Sequence, residues 1–596
     1  MNARTALREF RVLVGFGFRE APAQAALFLV CGAIMALASP ALAYGAKLLI
    51  DAASAGQLTP DLFAALFLSL IVAFSLINGL AYVDLLFTVV EKAGAALDQS
   101  LMRLIGGIPG IAHHESPDYL DRLDLLREHR SELAWMTNAT AGLLRVAVQL
   151  VASEILLARL APILLALPLF GVISFALGKR ARDLQMQARE QSIEPERLCK
   201  HLFDLTVSPS AGQEVRIFAL ADAMLHRHHA ASHAVNQARD RAEWQSAGLQ
   251  AVDAVVFGLA YVGAIGLVLS RALHGQATPG DVILVVGLAA GMNGMVATAV
   301  GYGTHFLSVL RVAGWYLWLA DYAEAATPVP AEPIAVPPRL ATGLELQNVS
   351  FSYPGHEKAI LTNVSLRLPA GSVVALVGEN GAGKTTLVKL LARFYEPTAG
   401  QILVDGRDLQ RMPVDAWRTR LSGAFQDFCR FEFRLRETVG VGDLPRLDDS
   451  LAVAKAVARA GAEAIPEALP RGFETQLGKA WDGGVDLSGG QWQKLALSRA
   501  LMREAPLLIV FDEPTAALDP PTEHALFERF AEAARRESSA GTITLLVTHR
   551  FSTIGMADLI VVLDQGRIVE QGSHAELLQL NGLYAELYHL QSRGYQ

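Results

Sequence analysis

The sequence is poor in cysteine and shows no surplus of positive charge. Cys31, Cys199 and Cys429 are the only thiols in 596 residues. They are too few and too scattered for a disulfide framework or a thiolate metal cluster. Net charge is −8, with 51 Lys and Arg against 59 Asp and Glu, so nothing electrostatic points to a nucleic-acid partner. Charged residues are only 18% and hydrophobic residues 52%, and mean hydropathy is +0.31. The N-terminal twenty residues carry Arg8, Glu9, Arg11, Arg19 and Glu20, which interrupt any secretory signal core. They read as a short amphipathic helix at a membrane surface or a solvated helical leader.

The apolar residues are concentrated before residue 320. A membrane helix needs about 20 mostly apolar residues. Six runs qualify, near 22–50, 61–90, 136–158, 161–178, 245–270 and 281–305. The third and fourth are separated only by a tight turn at "ARLAP". The connections alternate short and long, and the long fourth one carries Lys179, Arg180, Arg182, Arg189, Arg197, Lys200, Arg216, Arg227, Arg239 and Arg241. The short ones offer little beyond Arg159 and Arg271, so the long connections and both termini are expected in the cytoplasm. Apolar residues recur at helical spacing through the long connections, which predicts membrane helices that continue into the cytoplasm and turn near 113–120 and 208–218. Asp84, Arg145, Glu154 and Asp253 fall within apolar spans. Each either lines a substrate path or pairs internally, because lone charge there is costly. The three carboxylates among them hint at cationic or polar-headed cargo. The Gly-rich sixth span, with Asn293, suits close helix packing or the wall of a path that opens and closes.

"EAATPVPAEPIAVPPRLATG" (324–343) breaks any helix and marks a boundary. The expected division is a membrane domain over 1–323, a linker over 324–342 and a second domain over 343–596. Continuous apolar strands at 371–378, 506–512 and 542–549 predict a covered parallel sheet, hence an α/β fold.

"GENGAGKT" matches G-x-x-x-x-G-K-[ST] between a strand and a helix. In Gly378, Glu379, Asn380, Gly381, Ala382, Gly383, Lys384 and Thr385, with Thr386 following, backbone N–H groups cradle phosphates. Lys384 reaches the β/γ-phosphates and Thr385 suits Mg²⁺. "LLIVFDE" ends a strand in Asp512, suited to Mg²⁺, and Glu513, placed to polarise an attacking water. Tyr353 is either a stacking platform for a base or a structural tyrosine. Gln426 is uninformative alone. Asp519 is compatible with a simple turn, and His549 ends a strand that should face the same crevice. "LSGGQ" places Ser488, Gly489, Gly490 and Gln491 at a helix start, a second plausible anion cradle.

This order of P-loop, glutamine, LSGGQ, Asp-Glu strand end and His strand end, behind six spans, resembles the ATP-binding cassette (ABC) transporters. Over essentially the whole chain it resembles an exporter-type half-transporter. The resemblance implies an all-α membrane domain followed by an α/β P-loop ATPase cassette in a multi-pass protein, expected in a bacterial inner membrane. It implies that Tyr353 stacks on adenine. Gln426 links the Mg²⁺ and water site to the membrane helices and joins Thr385 and Asp512 around Mg²⁺. Glu513 is the catalytic acid, His549 the γ-phosphate sensor, and Asp519 belongs to the loop between cassettes. It implies ATP and Mg²⁺ as cofactors, membrane lipid as surroundings, and a second half-transporter as partner. A homodimer is the simplest form, because Ser488–Gln491 would complete another chain's site. The expected function is ATP-driven export of a lipophilic compound, lipid or peptide. Import on the same architecture, or an ATP-gated channel, are the alternatives. The stretch "GKAWDGGVD" before the signature departs from the Glu-bearing pattern of many exporters and leaves Asp482 near the second acidic position.

Overall fold

The computed structural model describes residues 18–54, 58–208, 211–327, 332–356, 358–513, 541–548 and 554–594. The N-terminal leader to residue 17, Asp519 and His549 therefore lie outside the described residues. The chain forms two compact units. One is Met1–Leu104 with Arg122–Ala320, and the other is Ile105–Asp121 with Asp321–Gln596.

The first unit is helical. Its helices are α1 (Pro22–Ser54), α2 (Leu58–Gly106), α3 (Pro117–Ala134), α4 (Met136–Leu160), α5 (Leu167–Val207), α6 (Ala221–Leu273) and α7 (Pro279–Ala325). Among the described residues, five helices are long and apolar enough to cross a membrane: α1, α2, α4, α6 and α7. The span expected over 161–178 is built differently. Pro162 opens a 3-10 turn over Pro162–Ala166, and only the first twelve residues of α5 precede Lys179. The lengths of α2, α5, α6 and α7, 41 to 53 residues, exceed what the hydrocarbon core needs, as the periodic long connections predict. The second turn between them holds a short helix, Gly212–Ile217.

Polar residues tie this unit at particular points. At one end of α1 the Lys47 ammonium pairs with Asp281 of α7 and, at 3.4 Å, with Asp51. Asp51 also accepts from the Gly280 N–H at 2.9 Å. Arg145 donates to the Tyr302 hydroxyl at 3.3 Å and lies over the rings of Tyr82 and Tyr302. Neither carboxylate oxygen of Glu154 has a hydrogen-bond partner. Asp253 lines a cavity of about 580 Å³ between α5, α6 and α7, together with Arg182, Gln185 and Gln250. Asp84, on an exposed stretch of α2, and Glu154 do not line it. The three carboxylates are thus dispersed, and the one at the cavity shares it with an arginine.

The second unit carries two sheets. Strands β1 (Gly343–Phe351), β2 (Leu361–Pro369), β4 (Ala399–Val404) and β5 (Arg407–Asp408) form an antiparallel sheet in the order β2-β1-β4-β5. The larger sheet has the order β10-β9-β3-β8-β7-β6. Its strands are β3 (Val373–Val377), β6 (Leu421–Ala424), β7 (Leu508–Asp512), β8 (Ile543–Val547), β9 (Leu559–Asp564) and β10 (Arg567–Gly572). Strands β6, β7, β8, β3 and β9 are parallel, and β9 and β10 pair antiparallel as a closing hairpin. Every residue of β3, β7 and β8 is buried, which is why these strands read as unbroken apolar runs. One face packs on Trp417, Leu387 and Leu391; the other packs on Trp492, Leu495 and Tyr584.

Candidate functional site

Register places the chemistry. Ala424 pairs with Phe511, Asp512 with Val547, and Leu376 with the same Val547. The carboxyl ends of β3, β6, β7 and β8 therefore lie side by side, where ligands bind in open α/β sheets. Gly378, Gln426 and Asp512–Glu513 emerge from this edge.

The P-loop follows β3. Gly378 has φ 154°, and a Cβ there would stand 2.1 Å from the Leu563 carbonyl oxygen. Gly383 has φ 105°, and its Cβ would meet Leu361 at 2.7 Å. Both positions require glycine for backbone conformation and space. Gly383 is the N-cap of α8 (Lys384–Leu391), so the loop ends on free helix N–H groups. Lys384 is 6% exposed and donates to the carbonyls of Gly378 and Glu379 at 2.8 and 2.9 Å. Burial lowers the Lys384 pKa, against the opposing charges of Glu513 and Asp512.

A cavity of about 860 Å³ opens over this loop. Its walls bring together Tyr353, Gly378–Gly381, Gly383–Thr386, Gln426 and Glu513. Ala382 does not line it; that side chain packs in the core behind the loop. Ile360 and Leu587 also line it, and sequence reasoning missed both. Leu587 belongs to the helix Leu583–Gly594, whose apolar spacing signals packing and nothing about a ligand.

Asp512 lies behind the cavity, 3% exposed. Burial first and the Glu513 charge second push its carboxyl up to about 6, opposed by a hydrogen bond from Thr385 and the charge of Lys384. Its Oδ1 has no hydrogen-bond partner. A buried carboxylate oxygen without a partner, beside a threonine hydroxyl, fits a hard divalent cation that takes oxygen ligands. Glu513 holds a left-handed conformation, φ 47°, with its N–H donating to the Val547 carbonyl at 2.9 Å. Such strain in a non-glycine residue persists where the surrounding fold imposes it.

The signature stretch is elsewhere. Ser488 caps α9 (Gly489–Ala500) in a reciprocal box: Gln491 N–H donates to Ser488 Oγ at 3.3 Å, and Ser488 N–H donates to Gln491 Oε1 at 2.9 Å. Ser488 and Gly489 are exposed, and none of Ser488–Gln491 lines the P-loop cavity. In the departing stretch before it, Lys479 pairs with Asp486 at 3.0 Å and Trp481 donates to Glu432 at 3.1 Å, while Asp482 is exposed.

Residues 361–516 match the ABC transporter family model. Over 96% of its length the chain superposes on 98% of a bacterial Atm1-family ABC exporter solved with ATP bound, with TM-score 0.75 and 25% identity. Together these likenesses mark residues 361–516 as an ABC transporter domain and support an exporter-type ABC half-transporter. Its architecture is that of the exporter-type half-transporters, an apolar helical region followed by one ATPase cassette. Among curated relatives, it is 44% identical over 249 residues to an ATP-dependent lipid A-core flippase of Cupriavidus metallidurans, covering 42% of this chain and 40% of that protein. It is 38% identical over 241 residues to the subtilin transport ATP-binding protein of Bacillus subtilis, covering 40% of this chain and 38% of that one. In these pairings the transporter spans about two fifths of its relatives' length.

Proposed function

We propose that this chain is one half of an ATP-driven exporter that moves a lipophilic compound, lipid or peptide by alternating access. The names of the flippase and subtilin relatives support that cargo class, and the exporter fold supports the direction. In this reading residues 1–323 are the membrane domain, 324–342 the linker and 343–596 the cassette, with cassette and termini on the cytoplasmic side of a bacterial inner membrane.

The observation that carries the reading is an incomplete cavity. Phosphate loop, Gln426 and Glu513 share it, whereas Ser488–Gln491 lie outside it, Ser488 and Gly489 exposed and Gly490 and Gln491 half-buried. A second copy supplies the missing wall, so each ATP lies between one chain's P-loop and the other's signature, and the working form is a homodimer. Tyr353 stacks on the base. The N–H groups of Gly378–Thr385 and the Lys384 ammonium hold the phosphates. Glu513 accepts the proton of the attacking water, and Lys384 and His549 stabilise charge on the γ-phosphate. Asp519 belongs to the contact between cassettes. Thr385, Gln426 and Asp512 would hold Mg²⁺, which supplies charge neutralisation at the β- and γ-oxygens.

The test is reconstitution in lipid vesicles with a labelled lipid A-like glycolipid or a labelled hydrophobic peptide. ATP should drive one of them across the bilayer in one direction, and the Lys384→Ala variant should not. Movement in the wild type independent of ATP would remove the proposal.

A further inference from the structure

Residues Ile105–Asp121, the first turn between the long helices, belong to the same compact unit as the cassette. Gly110 approaches the Phe394 carbonyl, the Ile111 N–H donates to it at 3.4 Å, and Arg418 donates to the Pro109 carbonyl. The turn continues into a 3-10 segment, Ala112–Glu115. At its end the Glu115 carboxylate accepts from the Lys389 ammonium at 2.9 Å and from the Tyr395 hydroxyl. Both partners belong to the cassette, and Lys389 lies on α8, the helix that begins at the phosphate loop.

The cluster reaches the base end of the ATP cavity. Lys389 Nζ lies 5.2 Å from the centroid of the Tyr353 ring and 5.7 Å from that of Tyr395. The two rings meet edge to face, 5.3 Å apart at 88°. The Tyr353 hydroxyl is hydrogen-bonded to Thr386 at 3.1 Å. Tyr353 is thus fixed by its hydroxyl, by a neighbouring ring edge and by a cation, and Glu115 alone provides the counter-charge in that set. Burial would raise the Glu115 carboxyl, yet hydrogen bonds from Tyr395 and Lys389 hold it below its usual value. The pair correspondingly raises Lys389 despite its own burial. A lysine has a long, strongly hydrated head, so without a carboxylate it turns to solvent and leaves the ring.

We propose that Glu115 is a positioning residue for the nucleotide base: through Lys389 and Tyr395 it sets the Tyr353 ring, so docking of the turn tunes base affinity. By linkage, base binding strengthens the docking by the same factor. This rests on the reading that Tyr353 takes the base of ATP. The sequence placed a turn near 113–120 and offered Tyr353 as a stacking platform, but nothing in it joined the two.

The test uses the full-length protein in lipid nanodiscs and two probes, ATP and inorganic tripolyphosphate, which has the phosphates without the base. Glu115→Gln should raise the Kd and KM for ATP about three- to tenfold, keep kcat, and leave tripolyphosphate affinity unchanged. Tyr353→Ala should also weaken ATP, and Glu115→Gln added to it should cost nothing further. Lys389→Met, which leaves the turn's own residues intact, should reproduce Glu115→Gln and serves in its place if that variant does not fold. Equal loss for ATP and tripolyphosphate, or losses that multiply in the double variant, would overturn the proposal. If Tyr353→Ala leaves ATP binding untouched, the base-end reading itself is wrong, and the link falls with it.

Discussion

The two units treat the same apolar residues in opposite ways. In the cassette unit the strands β3, β7 and β8 are fully buried, with α8 and the antiparallel sheet on one face and helices on the other. In the membrane unit Phe63, Leu66, Leu70, Leu76, Ile77 and Leu80 of α2 are 59–77% exposed. A soluble unit would not leave such a face to water; here lipid is the solvent, and exposure is the stable state. Polar chemistry divides the same way. The cassette gathers its carboxylates, lysine and glutamine on one sheet edge, while the membrane unit spreads Asp84, Arg145, Glu154 and Asp253 along helices, each in its own surroundings. Arg145 ties helices together and Asp253 lines a cavity, whereas Asp84 and Glu154 do neither.

The sharpest break of this comparison is chemical. Glu513→Gln should retain ATP binding and lower phosphate release about 10²- to 10⁴-fold; near-normal turnover would remove Glu513 as the base. Next is the lipid-facing surface. Leu80→Arg should disfavour membrane insertion of α2 by about 2.5–3.5 kcal/mol, read as loss of protein from the membrane fraction, whereas an equally exposed cassette residue, Leu444→Arg, should have no such effect. Third is the tie between α1 and α7. Lys47→Met strands two partly buried carboxylates and should destabilise the detergent-solubilised protein by about 1.5–3 kcal/mol, seen as a lower melting temperature with ATP affinity unchanged.

The fourth concerns pH. The folded Asp512 carboxyl, at about 6, lies above its ordinary value of 3.8. The empty folded state therefore binds this proton more tightly than the unfolded chain, and the group's contribution to stability falls as pH rises from 3.8 to about 6. A divalent ion competes with that proton, so the Mg²⁺ concentration for half-maximal turnover should rise about tenfold per unit below that pH. A flat profile there would exclude Asp512 as a ligand. The smallest effect is also the most specific. A mixed dimer altered at Lys384 in one subunit and at Ser488 in the other should lose one ATP site and keep the second. Damage to both would mean that each chain serves its own ATP.

Much of this was readable before any coordinates. The buried strands announced themselves because covered parallel strands are apolar throughout, and "GENGAGKT" fixed a loop whose glycines are required by sterics at Gly378 and Gly383. The membrane helices were readable from length and hydropathy, except that the fourth span is a 3-10 turn joined to the start of α5 and not one apolar helix. The four-stranded antiparallel sheet was mostly missed, although β2 alternates buried and exposed residues over Val364–Pro369. That Asp253 lines a cavity which Asp84 and Glu154 do not was not readable, because carboxylates far apart in sequence carry no information about which helix faces meet. Leu587 was invisible because an apolar residue on a C-terminal helix looks the same whether it packs in a core or edges a cavity.

Sequence alone determined the local patterns of this protein: which strand leads into a glycine-rich loop and a helix, which strand ends in acid, which stretches are long and apolar. Those signals are local, held in spacings of a few residues. Only the tertiary structure decided that Ser488 caps its own helix outside the P-loop cavity, that Asp512 keeps a buried oxygen unpaired, and that Glu115 meets Lys389 beside Tyr353. These are contacts between residues that pattern cannot connect, fixed by strand register and by the way a distant turn packs beside the end of the helix that follows the phosphate loop.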